Sequence, residues 1–168
     1  EARKIEEFLE QVMNYQYSSA MLSFFRDTTF VDNDHNSGSS AGPLTPLTPA
    51  EVEAAHGSCN ILVNNAGVTA AGRFEADDLD LVRWITDINV WGVVHGCHYF
   101  LPYLKKQPEA HIVNTSSLAG FLGLPNQASY CLTKAAVKSL SETLRAELAV
   151  HNIGVTSIHP GTIRTNIL

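Results

Sequence analysis

The sequence predicts an α/β fold built on a parallel sheet, and two observations carry that expectation. Three short apolar runs, at residues 61–63, 112–113 and 155–158, read as strands, the first as one buried on both faces. Between them lie two long stretches of helical periodicity, at about 77–104 and 127–150. Strand, helix, strand, helix, strand at these lengths is the signature of right-handed parallel crossover units.

In chain order, residues 1–50 form an atypical N-terminal segment. Ile5, Phe8, Leu9, Val12 and Met13 recur at helical spacing, which predicts a short amphipathic helix near 2–16. The polar stretch 32–42 reads as a linker, and Pro43, Pro46 and Pro49 are expected to prevent regular helix until Ala50. Residues 51–56 read as a helix end stopped by Gly57. Ile61, Leu62 and Val63 make the first strand. In the helix that follows, Leu81, Trp84, Ile85 and Ile88 share one face. Gly92 and Gly96 would admit another backbone, and Pro102 should bend or end the helix. Ile112 and Val113 make the second strand. Asn126 is expected to cap a helix whose stripe is Val137, Leu140, Leu144 and Leu148. Asn152 and Gly154 close it before the third strand.

The chain has 168 residues, of which 45% are hydrophobic and 17% charged, a globular rather than disordered composition. A formal net charge of -6 argues against nucleic acid or an anionic membrane surface as partner, because both demand clustered Lys and Arg. No apolar run is long enough to span a membrane. Cys59, Cys97 and Cys131 are odd in number and lack metal spacing, which fits a reducing, cytoplasmic compartment. His95 and His98 have no third ligand nearby in sequence and read as helix-surface or interface residues, so no metal site is expected. A start at Glu1 and a stop directly after a motif read as a fragment or a damaged gene model.

Tyr130 and Lys134 stand four apart early in the last long helix, on one face. A phenol is a poor acid near neutral pH, with an ordinary pKa of about 10. A nearby ammonium favours the phenolate, so such a pair can exchange a proton with a carbonyl or an alcohol. Ser117 lies thirteen residues earlier, just past a strand end, where ligands bind in open α/β sheets.

Five segments in order then carry a resemblance. They are Asn64-Asn65-Ala66-Gly67 after the first strand, Asn89 in its helix, Asn114-Thr115-Ser116-Ser117, Tyr130-Cys131-Leu132-Thr133-Lys134, and His159-Pro160-Gly161-Thr162-Ile163-Arg164-Thr165. Over residues 59–168 the chain resembles the short-chain dehydrogenase/reductase family. The resemblance implies a Rossmann-like doubly wound parallel sheet, incomplete here in its N-terminal half. It also implies an NAD(P)-dependent oxidoreductase that interconverts a secondary alcohol and a ketone or aldehyde.

By the same resemblance Tyr130 would be the general acid/base. Lys134 would tune it and bond the nicotinamide ribose. Ser117, selected over Ser116 by spacing, would polarise the substrate carbonyl. Asn89 would hold a water in a proton relay. Asn65, Ala66 and Gly67 would line the adenosine ribose side of NAD or NADP. Ile163 and Thr165 would contact the carboxamide. The helices near 78–104 and 127–150 would make a homodimer or homotetramer. Phe121, Leu122 and Leu124, between Ser117 and Tyr130, suggest an apolar substrate.

One family motif is missing from the reading. The glycine-rich turn that meets the pyrophosphate has no clear counterpart, since Gly38-Ser39-Ser40-Ala41-Gly42 lacks a strand before it and a helix after it. Residues 51–168 are therefore read as the catalytic part of the domain. The alternative reading is a catalytically impaired, truncated relative that acts as a dimerising module or is a gene-model fragment.

Overall fold

The computed structural model describes residues 48–162. The expected helix at 2–16, the linker, and the Gly38–Gly42 segment lie outside the described residues, as do Ile163 and Thr165.

Helix α1 (Pro49–His56) starts one residue earlier than the prolines suggested. Pro49 sits in the first turn, where a missing N–H costs nothing. Thr48 and Glu51 form a capping box: the Glu51 N–H donates to Thr48 Oγ1 at 3.3 Å, and the Thr48 N–H donates to Glu51 Oε2 at 2.6 Å. Gly57, at φ 78°, ends the helix in the left-handed conformation.

Strand β1 (Ile61–Asn64) pairs in parallel with β2 (Ala110–Thr115), and β2 with β3 (Ile153–Ile158). The order is β1-β2-β3. The expectation that β1 is buried on both faces holds only in part. Leu62 is buried, but Ile61 is 45% exposed.

The first crossover is a single helical rod with an irregular middle. Helix α2 (Leu79–Thr86), capped by the Asp78 carboxylate, runs into a π-helical turn at Asp87–Trp91 and then into α3 (Gly92–Leu104). Pro102 lies inside α3, which ends two residues later at Leu104. Trp84, expected on the buried face with Ile85 and Ile88, is 44% exposed. Gly96 does admit another element: a methyl there would fall on Asn64 Oδ1.

The second crossover is α4 (Ala128–Leu148). Asn126 is not its cap. Its backbone is left-handed (φ 63°), a conformation Asn tolerates, and Gln127 occupies the cap position without a side-chain bond. Val137 and Leu148 are buried and Leu140 and Leu144 pack beside them, so the predicted stripe does face the core. Asn152, at φ 56°, turns the chain, while Gly154 lies inside β3. Val93, Cys97, Phe100 and Leu104 of α3 meet Leu62, Ile112, Val155 and the α4 stripe in one cluster. No helix among the described residues is long and apolar enough to cross a membrane.

Candidate active site

The carboxyl ends of the three strands and the first turns of α4 converge. Register sets Asn64 beside Asn114, and Asn114 beside Ser157. The Asn64 amide donates to Asn114 Oδ1 at 2.8 Å, and Asn114 Nδ2 donates to Ser141 Oγ at 3.0 Å. Buried amides of this kind need partners, and these bonds fix the ends of β1 and β2 against α4.

Beyond β2, the two serines have different duties. Ser116 is buried and its hydroxyl donates to the Lys134 carbonyl at 2.7 Å. Gly120 closes on the same spot; a methyl there would come within 2.8 Å of Ser116 Oγ and 2.9 Å of the Lys134 carbonyl oxygen. Ser117 is only half-buried. Its hydroxyl caps a short 3-10 turn, Leu118–Gly120, by accepting the Ala119 N–H at 3.1 Å. His159 reaches its carbonyl oxygen through Nδ1 at 3.2 Å and stacks on Phe121, with ring centres 4.4 Å apart.

Tyr130 and Lys134 lie one turn apart on α4, as expected. Lys134 is 3% exposed, and its ammonium stands 5.7 Å from the Tyr130 ring centre. It donates to the Thr115 carbonyl at 3.0 Å, and among the described residues no carboxylate pairs with it. Burial alone pulls its pKa down to about 8. No hydrogen bond joins the hydroxyls of Ser117 and Tyr130 to each other.

Asn89 is buried in the π-helical turn. Its Oδ1 accepts the Val68 N–H at 2.8 Å, and its Nδ2 donates to the Val68 carbonyl at 2.9 Å and to Thr133 Oγ1 at 3.0 Å. The chain just before Val68 passes close to the lysine: a methyl at Gly67 would lie 3.2 Å from Lys134 Nζ and 3.4 Å from Asn89 Oδ1. Asn65 is exposed and accepts the Thr115 hydroxyl at 2.9 Å, and Ala66 is half-buried beside it. Asn65, Ala66, Gly67, Asn89, Ser117, Tyr130 and Lys134 therefore surround one end of the sheet.

Sequence reasoning passed over Thr115, Ser116 and Thr133 as working parts and did not see the Asn64–Asn114–Ser141 chain. The available signal was polarity in apolar context: an amide inside a strand, and a hydroxyl beside a buried lysine. His95 lies between Trp91 and Tyr99 with tilted rings, centres 5.7 and 5.8 Å away, and His98 meets Tyr99 edge-on.

The sequence model of the short chain dehydrogenases matches residues 47–168. The chain is 38% identical over 124 residues to a protein of Mycobacterium tuberculosis named "Putative oxidoreductase SadH", covering 72% of this chain and 45% of that one. Among solved structures, a short-chain dehydrogenase/reductase from Burkholderia phymatum in complex with NAD is 37% identical with a TM-score of 0.66. The match covers 71% of this chain and 46% of that one. A gluconate 5-dehydrogenase from Burkholderia cenocepacia in complex with NADP and tartrate is 28% identical with a TM-score of 0.68, covering 71% and 47%. The chain spans less than half the length of these relatives. The fold is the Rossmann-like, doubly wound α/β type, with three of its parallel strands in the described residues.

Proposed function

Because the chain belongs to the short-chain dehydrogenase family, we propose that residues 51–168 are the catalytic part of an NAD- or NADP-dependent oxidoreductase. The reaction is the interconversion of a secondary alcohol with a ketone or aldehyde. The observation that carries this reading is the buried, carboxylate-free ammonium of Lys134 between the Tyr130 ring and Gly67.

The residues present fit the nicotinamide-ribose part of a dinucleotide. The missing Cβ of Gly67 leaves room against Lys134 and Asn89. One Lys134 N–H is used on Thr115, which leaves donors for a ribose diol. Asn65 and Ala66 continue that edge toward the adenosine side, and Ile163 and Thr165 are assigned to the carboxamide. When bound, the cofactor supplies or accepts the hydride. Tyr130 gives its hydroxyl proton to the substrate oxygen in reduction and takes it back in oxidation. Lys134 stabilises the phenolate that forms. Ser117 donates to the same substrate oxygen, and after reduction a proton from solvent reaches the Tyr130 phenolate through a relay at Asn89 and Lys134, Lys134 passing one on as it receives one.

The apolar rim, with Phe121 57%, Leu122 51% and Leu124 39% exposed, favours a hydrophobic alcohol or ketone. Trp91 and Tyr99, 51% and 58% exposed on α3's side of the first crossover, and Leu132, 58% exposed on α4, favour a homo-oligomer. We assign the enzyme to the cytoplasm because its three cysteines, Cys59, Cys97 and Cys131, are odd in number and form no disulfide with one another.

A titration of the full chain with NADH and with NADPH, read as quenching of Trp84 and Trp91, tests the cofactor claim. Saturable quenching by either supports it. No saturation with both would favour the impaired, non-catalytic reading instead.

A further inference from the structure

We propose that Thr133 is a positioning residue whose hydroxyl couples the loop after β1 to the catalytic turn of α4. The proposal rests on the reading of Tyr130 and Lys134 as the catalytic pair.

Thr133 lies between those two residues in sequence, three past Tyr130 and directly before Lys134. It is fully buried. Its hydroxyl donates to the Tyr130 carbonyl at 2.8 Å, the back-bond that many helical threonines make. That bond alone would have no functional meaning. The second bond is different. Thr133 Oγ1 accepts from Asn89 Nδ2 at 3.0 Å, across 44 residues of chain.

Asn89 in turn holds both polar groups of the Val68 backbone, the N–H at 2.8 Å and the carbonyl at 2.9 Å. An amide NH2 has two donors. Val68 takes one and Thr133 takes the other, so the hydroxyl is what leaves no buried donor of Asn89 unpaired. The continuous path is therefore Tyr130 carbonyl, Thr133 hydroxyl, Asn89 amide, Val68 backbone. Gly67, next to Val68, is the point where this loop passes both Lys134 Nζ and Asn89 Oδ1. A shift of the loop relative to α4 would change the space between Gly67 and the ammonium.

A packing role makes the opposite demand on side-chain chemistry. Thr133→Val keeps the shape and removes the hydroxyl; Thr133→Ser keeps the hydroxyl and removes the methyl group. The experiment is site-resolved amide hydrogen exchange on the full chain without cofactor or substrate, comparing wild type, Thr133→Val and Thr133→Ser. The expected result is exchange at Val68 about tenfold faster in Thr133→Val, with Thr133→Ser close to wild type. An unchanged Val68 rate in Thr133→Val overturns the proposal. So does a rate raised as much by Ser as by Val.

If Thr133→Val does not fold, Thr133→Ser decides: wild-type protection at Val68 upholds the coupling and its loss contradicts it. Turnover is measured separately. A wild-type chain that binds NAD(P)H but reduces no carbonyl counts against the oxidoreductase reading, while the exchange result still decides the role of Thr133.

Discussion

The Lys134 ammonium donates to the Thr115 carbonyl at 3.0 Å, which anchors a buried lysine to the carboxyl end of β2. That contact joins the strand that leads to Ser117 to the helix carrying Tyr130, so a charge kept in the core serves as a geometric tie. Its cost should be visible in the pH dependence of stability.

Burial lowers the folded pKa of Lys134 to about 8, whereas the unfolded lysine titrates near 10.5. Between those values the unfolded chain binds more protons than the folded one, so stability from this group rises with pH. The penalty is fully present below pH 8 and relieved toward 10.5, on the order of 3 kcal/mol. Lys134→Met removes the buried charge. Urea unfolding should find this variant more stable than wild type at pH 7, with the gap narrowing by pH 10. A constant gap would contradict the assignment.

The two serines should separate by phenotype. Ser117→Ala should lower kcat about a hundredfold and, because it also removes the acceptor of the Ala119 N–H, cost about 1 kcal/mol of stability. Ser116→Ala deletes the bond to the Lys134 carbonyl and should cost about 1 kcal/mol of stability while most turnover remains. Steady-state kinetics beside urea denaturation reads both, and the reverse pattern would assign the substrate contact to Ser116.

Gly96→Ala places a methyl group on Asn64 Oδ1, and Asn64 can yield only by giving up its 2.8 Å bond to Asn114. The expected loss is about 2–4 kcal/mol in chemical denaturation. Asn64→Ala on the same background removes the clash, so the double mutant should lose less than the two single variants summed.

The strands and α4 were legible in the sequence because each rests on a local pattern. Ile112 and Val113 lie in a short apolar run, and Val137, Leu140, Leu144 and Leu148 recur at helical spacing. Tyr130 and Lys134 were legible for the same reason, being four apart on one helix. The π-helical turn around Asn89 was not, since one added residue per turn leaves no mark in an apolar stripe already interrupted by Asp87 and Asn89. Asn126 was misjudged because Asn serves both as a cap and as a left-handed turn residue, and sequence does not choose between them. The Asn64–Asn114 pair depends on the register of strands 50 residues apart, and the Thr133–Asn89 bond on how two helices meet. Neither is a property of any window of sequence.

The role of Tyr130 is decided by carbonyl reduction in the Tyr130→Phe full chain, with NADH or NADPH and a hydrophobic ketone. The phenol hydroxyl is the proposed proton donor, and its removal leaves the ring that Lys134 faces. In this variant kcat is expected to fall at least about a hundredfold while cofactor binding and unfolding free energy stay close to wild type. Turnover retained at the wild-type rate in a folded, cofactor-binding Tyr130→Phe chain would contradict that role.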